Sequence, residues 1–106
     1  MEYEIRKGHY QKIEGQGLKE VMKRAFGNVK EEDGKLVSSY GAIIRVEAKL
    51  VSKTALEVTS QTDKNASEDV QVDTIKHWNM FLEEATGYTA KERLKRLQKK
   101  AKEGKL

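Results

Sequence analysis

Asp73, His77 and Glu84 fall along one stripe of "VDTIKHWNMFLEEATG", with a carboxylate and an imidazole one helical turn apart. That spacing can share a divalent metal or a proton. The stripe lies on the polar side of the segment, away from Ile75 and Leu82, so a solvated face carrying an incidental histidine competes with the site reading. His9 stands beside Tyr10 in a loop-like stretch with no sequence-adjacent acid to orient it. General acid and base chemistry needs a pocket that shifts pKa values, and no pattern announces one. The chain is therefore read as a non-enzyme, with no catalytic residue, no metal ligand and no cofactor assigned.

The phosphate-binding patterns also fall short. "GNVKEEDGK", Gly27 to Lys35, has six residues between its glycines where a Walker loop has four, carries three acids and continues into Leu36 instead of Ser or Thr. Gly15-Gln16-Gly17 before a helix could present backbone amides to a phosphate, but a lone pair of glycines also serves as flexible entry to a helix. Trp78 and the four tyrosines could stack bases on an exposed platform. The register of Trp78 with Ile75 and Leu82 makes it a core residue instead.

The remaining chemistry is charge. "YTAKERLKRLQKKAKEGKL", Tyr88 to Leu106, holds eight basic and two acidic residues, a balance of +6, whereas positions 1–87 hold 13 basic and 15 acidic, or −2. Lys91, Arg93, Lys95, Arg96, Lys99, Lys100 and Lys102 crowd one helix, where like-charge pairs four apart cost about 0.2–0.5 kcal/mol each. Ala90, Leu94, Leu97 and Ala101 form its one narrow apolar seam. Such a helix suits an anion: RNA or another nucleic-acid backbone, bound with a steep salt dependence through those seven cations. Alternatively Leu94 and Leu97 are half of a helix–helix interface with a protein partner or in a homodimer. In a third reading the tail lies on the chain's own acids, near Glu83, Glu84 or Glu31 to Asp33, or is simply a solvated segment disordered at its end.

These side chains need elements to position them. "EYEIRK" alternates as a short strand, and in "LKEVMKRAFG" Leu18, Val21, Met22, Ala25 and Phe26 share a helical face that Gly27 ends. From Asn28 to Thr62 the period is that of strands: Asp33-Gly34 marks a hairpin turn, and Ser52-Lys53-Thr54 a second. Ile44, Val46, Ala48 and Leu50 are expected on one face, Ile43, Arg45, Glu47 and Lys49 on the other, and Gly41 marks a turn or bulge. The outward face, Glu2, Glu4, Arg6, Arg45, Glu47, Lys49 and Glu57, mixes signs and lacks the aromatics of an RNA-binding sheet. Ile75, Trp78, Phe81, Leu82 and Ala85 predict a core-facing helix closed by Gly87, and Thr89 with Glu92 predicts a capping box that starts a last helix at about 90–103.

The order β-α-β-β-β-α-α predicts an α+β fold, residues 1–106 as one domain, with an antiparallel meander of about three to four strands and helices on one face. Its α-β-β-β-α run is also the element order of small RNA-binding domains of the signal recognition particle, an analogy of fold alone. With 36% charged residues, no Cys and no Pro, and no apolar run long enough for a signal peptide or a bilayer span, the chain is read as soluble and cytoplasmic, with no membrane partner. "DTIKHWNMFLEEATGYTAKERLKRLQKKAKEGKL", with "SSYGA" in the strand region and "ATGYTAKER" the clearest segment, resembles a small family of uncharacterised archaeal α+β proteins. The resemblance implies an archaeal cytoplasmic protein of unknown function and transfers no reaction, cofactor or catalytic residue.

Overall fold

The computed structural model describes residues 1–102, with side chains through residue 99. Strand β1 (Glu2–Glu4) leads through a loop to a single-turn helix α1 (Tyr10–Ile13) and to α2 (Gly17–Phe26). Four strands follow, β2 (Lys30–Glu32), β3 (Lys35–Tyr40), β4 (Ile43–Ser52) and β5 (Ala55–Thr62), then α3 (Glu68–Thr86) and α4 (Ala90–Lys102). The five strands form one antiparallel sheet in the order β1-β5-β4-β3-β2.

The α+β class is as expected; the count is not. The sheet has five strands instead of three or four, and the order is β-α-α-β-β-β-β-α-α. The extra helix is the turn Tyr10–Ile13, too short to show a helical period, which nonetheless drives Ile13 into the core at 0% exposure. With two helices before four strands, the chain also departs from the α-β-β-β-α run of the signal recognition particle domains.

The core lies between the helices and one face of the sheet. Val46, Ala48, Leu56 and Val58 point into it from β4 and β5, and they meet Leu18, Val21, Met22, Ala25 and Phe26 of α2 and Phe81, Leu82 and Ala85 of α3. Phe26 and Phe81 meet with ring centroids 5.2 Å apart. On the opposite face Lys35, Glu47 and Arg45 are linked with Glu32 in a chain of ion pairs.

Two register details differ from the periodic expectation. Ile43 is buried and Ile44 is 60% exposed, the reverse of the expected alternation. The cause is a shift of register in the β4–β5 ladder between Ile43 and Arg45, which restores the expected phase only from Arg45 onward. On α3, Ile75 is 59% exposed instead of core, and Trp78 is half-buried. The buried arc is centred on Thr74, Phe81 and Ala85, because the Thr74 hydroxyl accepts the Ala42 N–H at 2.9 Å and holds α3 against the β3–β4 turn.

Helix boundaries follow local chemistry. Ser67 caps α3 by accepting from Val70 N, and Gly27 and Gly87 end α2 and α3 in the left-handed region at φ of 80° and 79°. The capping box forms as expected: Thr89 N–H donates to Glu92 Oε1 at 3.0 Å and Glu92 N–H to Thr89 Oγ1 at 3.2 Å. No helix among the described residues is long and apolar enough to cross a membrane.

Candidate functional site

The capping box decides where the basic helix points. Gly87 breaks α3, and Thr89 restarts the chain as α4 in a direction that lays its first turns beside β1, the edge strand. Arg96 Nε donates to Glu4 Oε2 at 2.7 Å, and Nη2 of Arg96 bonds the same oxygen. Reciprocally, Arg6 pairs with Glu92. The Arg6 and Arg96 guanidinium carbons lie 4.9 and 4.7 Å from the centroid of the Tyr88 ring, so both cations also rest on one aromatic. Arg93 is turned inward: it donates to the Tyr88 carbonyl at 2.7 Å and to Asn79 Oδ1 at 3.2 Å.

The electrostatics follow from these partners. The Thr89 N–H, with Arg6 beside it, holds the Glu92 carboxyl below its ordinary range. Hydrogen bonding to Glu4 pushes Arg96 up, and burial pushes Arg93 down. Burial likewise raises the Tyr3 phenol.

Of the seven expected nucleic-acid ligands, then, Arg93 and Arg96 are engaged within the chain: their hydrogen-bond partners are Glu4, Asn79 and the Tyr88 carbonyl, and Glu83, one of the expected acids, also acts on Arg93 through its charge. Glu4 and Arg6, expected on the solvated sheet face, are the other half of this clasp. Lys91, Lys95 and Lys99 enter no ion pair among the described residues and follow one another at helical spacing. The side chains of Lys100 and Lys102 lie outside the described residues.

Leu94 and Leu97, the expected interface pair, are 54% and 40% exposed. They do not close onto the body. Between them and Met1, Tyr3 and Leu82 runs a largely apolar groove of about 310 Å³, with Asn79, Tyr88, Ala90, Arg93 and Arg96 completing its walls. The groove explains why so short a seam remains open: clasp contacts hold α4 at its flank while the apolar edge stands off the strand.

The polar stripe of α3 divides. Asp73 and His77 approach, Oδ1 to Nε2, at 3.7 Å, but His77 Nδ1–H donates to the Ala25 carbonyl at 2.7 Å and its ring lies against Tyr40, whose hydroxyl donates to Asp73. That bond raises the Tyr40 phenol. Glu84 points elsewhere, to Arg24 at 3.6 Å. His9, although without an acid, donates from Nε2 to the Glu84 carbonyl at 2.6 Å. Both histidines thus tie a helix C-terminal turn to a neighbouring element, and no three His, Cys, Asp or Glu residues among those described converge on a metal-sized point. A second hollow on the outer sheet face, of about 370 Å³ around Val37, Ile44 and Arg45, has its arginine already paired with Glu32 and Glu47. Sequence reasoning missed Met1, Tyr3, Leu82 and Asn79 as groove residues, since none carries a local signal of its own.

The chain matches, over residues 1–99, the family described as a domain of unknown function, DUF5611, and it belongs to that family. The solution structure of a hypothetical protein from Thermoplasma acidophilum is similar, with 30% identity and a TM-score of 0.63, covering 91% of this chain and 95% of that one. This agrees with the expected kinship to uncharacterised archaeal proteins. No curated protein matches. The function of the family is unknown, and neither similarity carries an indication of RNA binding.

Proposed function

We propose that this member of a family of unknown function is a non-enzymatic interaction module that takes an apolar segment of a protein into the groove between β1, the end of α3 and α4. The observation that carries this reading is the exposure of Leu94 and Leu97 over a largely apolar hollow of about 310 Å³. Each leucine would gain about 1.5–3 kcal/mol if fully buried, so half of that is available to a partner. The lysines at the rim select the partner's charge. By helical projection Lys91 and Lys95 border the seam on its solvent side, so an amphipathic helix with acidic flanks matches the surface.

The test is a titration of the labelled chain, followed by backbone amide resonances, with a helical peptide carrying leucines at i, i+3 and i+7 and glutamates beside them. Resonances of Tyr3, Asn79, Leu94 and Leu97 should shift together, and Leu94→Asp should abolish the response. Shifts scattered elsewhere, or none, would overturn the reading. A second reading, RNA attachment, is favoured by Lys91, Lys95 and Lys99, which have no ion-pair partner among the described residues. It requires labelled RNA to bind at low salt and to lose binding on truncation after Thr89, with each phosphate contact adding to the salt slope.

A further inference from the structure

Among the described residues the α4 seam is not alone in being apolar and open: Ile44 and Val51 of β4 are 60% and 50% exposed, and α3 carries a strip of its own. On α3, Val72 and Ile75 are 63% and 59% exposed, more than either leucine of α4. Projected at 100° per residue, Glu68, Val72, Ile75, Asn79 and Leu82 share one face of α3. Asn79 and Leu82 are also walls of the groove, and Asn79 accepts a hydrogen bond from Arg93. The Val72/Ile75 strip and the Leu94/Leu97 seam are therefore two ends of a continuous surface that meet at Asn79.

Their charges are opposite. Helix α3 carries five acidic residues and one lysine, a balance of −4, and α4 carries seven basic residues and one glutamate, a balance of +6. Glu68 and Asp69, in the first turn of α3 beside Val72, enter no ion pair among the described residues, and the same holds for Lys91, Lys95 and Lys99. An α4 helix pairing with another α4 helix would oppose lysine to lysine, which disfavours it. A two-fold axis passing near Asn79 avoids this. It places the basic seam of each copy on the acidic strip of the other, and both apolar strips are covered at once.

Resting on the groove reading above, we infer that the partner is a second copy of this chain: an isologous homodimer in which α4 of each copy lies across the Val72/Ile75 face of α3 of the other. The experiment is sedimentation equilibrium of the intact chain from about 10 μM to about 1 mM, at low and high salt. A dimer is expected, and Ile75→Asp and Leu94→Asp, at positions more than half exposed and so compatible with folding, should each weaken it by roughly tenfold or more. The charges give an independent arm. Lys91→Glu with Lys95→Glu, and Glu68→Lys with Asp69→Lys, should each lower self-association, and mixing the two double variants should restore it as a heterodimer.

A chain monomeric at about 1 mM would overturn the inference, as would a dimer indifferent to Ile75→Asp, or double variants that fail to recover on mixing. If the chain is monomeric but the acidic leucine peptide still shifts the groove resonances, the second-copy assignment falls and the groove reading stands. If the peptide also gives no response, both fall.

Discussion

Thr74 shows how one side chain sets the phase of a helix. Its Oγ1 accepts the Ala42 N–H at 2.9 Å and donates to the Val70 carbonyl at 2.6 Å, and the residue is 5% exposed. Thr74→Val keeps the shape but leaves the Ala42 N–H buried without an acceptor, a cost of about 1–3 kcal/mol. Denaturant unfolding should show that loss for Thr74→Val and little for Thr74→Ser; equal stability of the valine variant would refute the anchor. Glu92 makes a second prediction, in pH. Its carboxyl is held low first by the Thr89 N–H and then by Arg6, so the folded state favours the ionised form. A depressed carboxyl contributes stability that is present above the ordinary glutamate value of about 4.3 and is lost as the pH falls through the folded value. Amide resonances of α4 should therefore loosen in acid below that pH, and Glu92→Gln should remove this dependence. An identical acid response in the variant would assign the loosening to other groups.

At the scale of elements, the two helix-ending glycines differ in a measurable way. Gly27 and Gly87 both sit at positive φ, near 80°, where an L side chain is strained by about 1–2 kcal/mol. A Cβ at Gly27 meets nothing within 4 Å, whereas at Gly87 it would lie 2.9 Å from the His9 ring and 3.2 Å from Arg6 Cβ. Gly87→Ala should thus lower the melting temperature clearly more than Gly27→Ala, and should broaden the α4 resonances, because His9 and Arg6 seat the junction. Equal effects would mean that the ring gives way. Both glycine stops, the Thr89 box and the core face of α2 were legible because each is written within a few residues. The phase of β4 was not, since a bulge depends on the neighbouring strand. Neither was the clasp, whose ion pairs join residues 86 and 92 positions apart. Ile75 misled for a related reason: periodicity reports that an apolar face exists, not which of two faces the sheet will claim. The Leu94/Leu97 seam was visible as a strip, but the groove beneath it is made of Met1, Tyr3, Asn79 and Leu82, which only tertiary structure assembles.

Taken as a whole, the molecule separates into a body and an arm. Every member of the buried core cluster, from Ile5 to Ala85, and every half-buried residue packed on it precedes Thr89. Helix α4 adds two half-exposed leucines, worth about 1–1.5 kcal/mol each at that exposure, and surface ion pairs of about 0–1 kcal/mol each. Against these stand the like-charge pairs along α4. The expectation is that a chain ending at Thr89 still folds cooperatively, with a loss of about 1–3 kcal/mol in denaturant unfolding and well-dispersed resonances for β1–β5 and α1–α3. Because the clasp is ionic and exposed, raising salt should move the intact chain toward the stability of the shortened one while leaving the latter nearly unchanged. Collapse of the shortened chain to an unfolded ensemble would show that α4 belongs to the core after all, and a partner could then not claim its leucines without unmaking the fold.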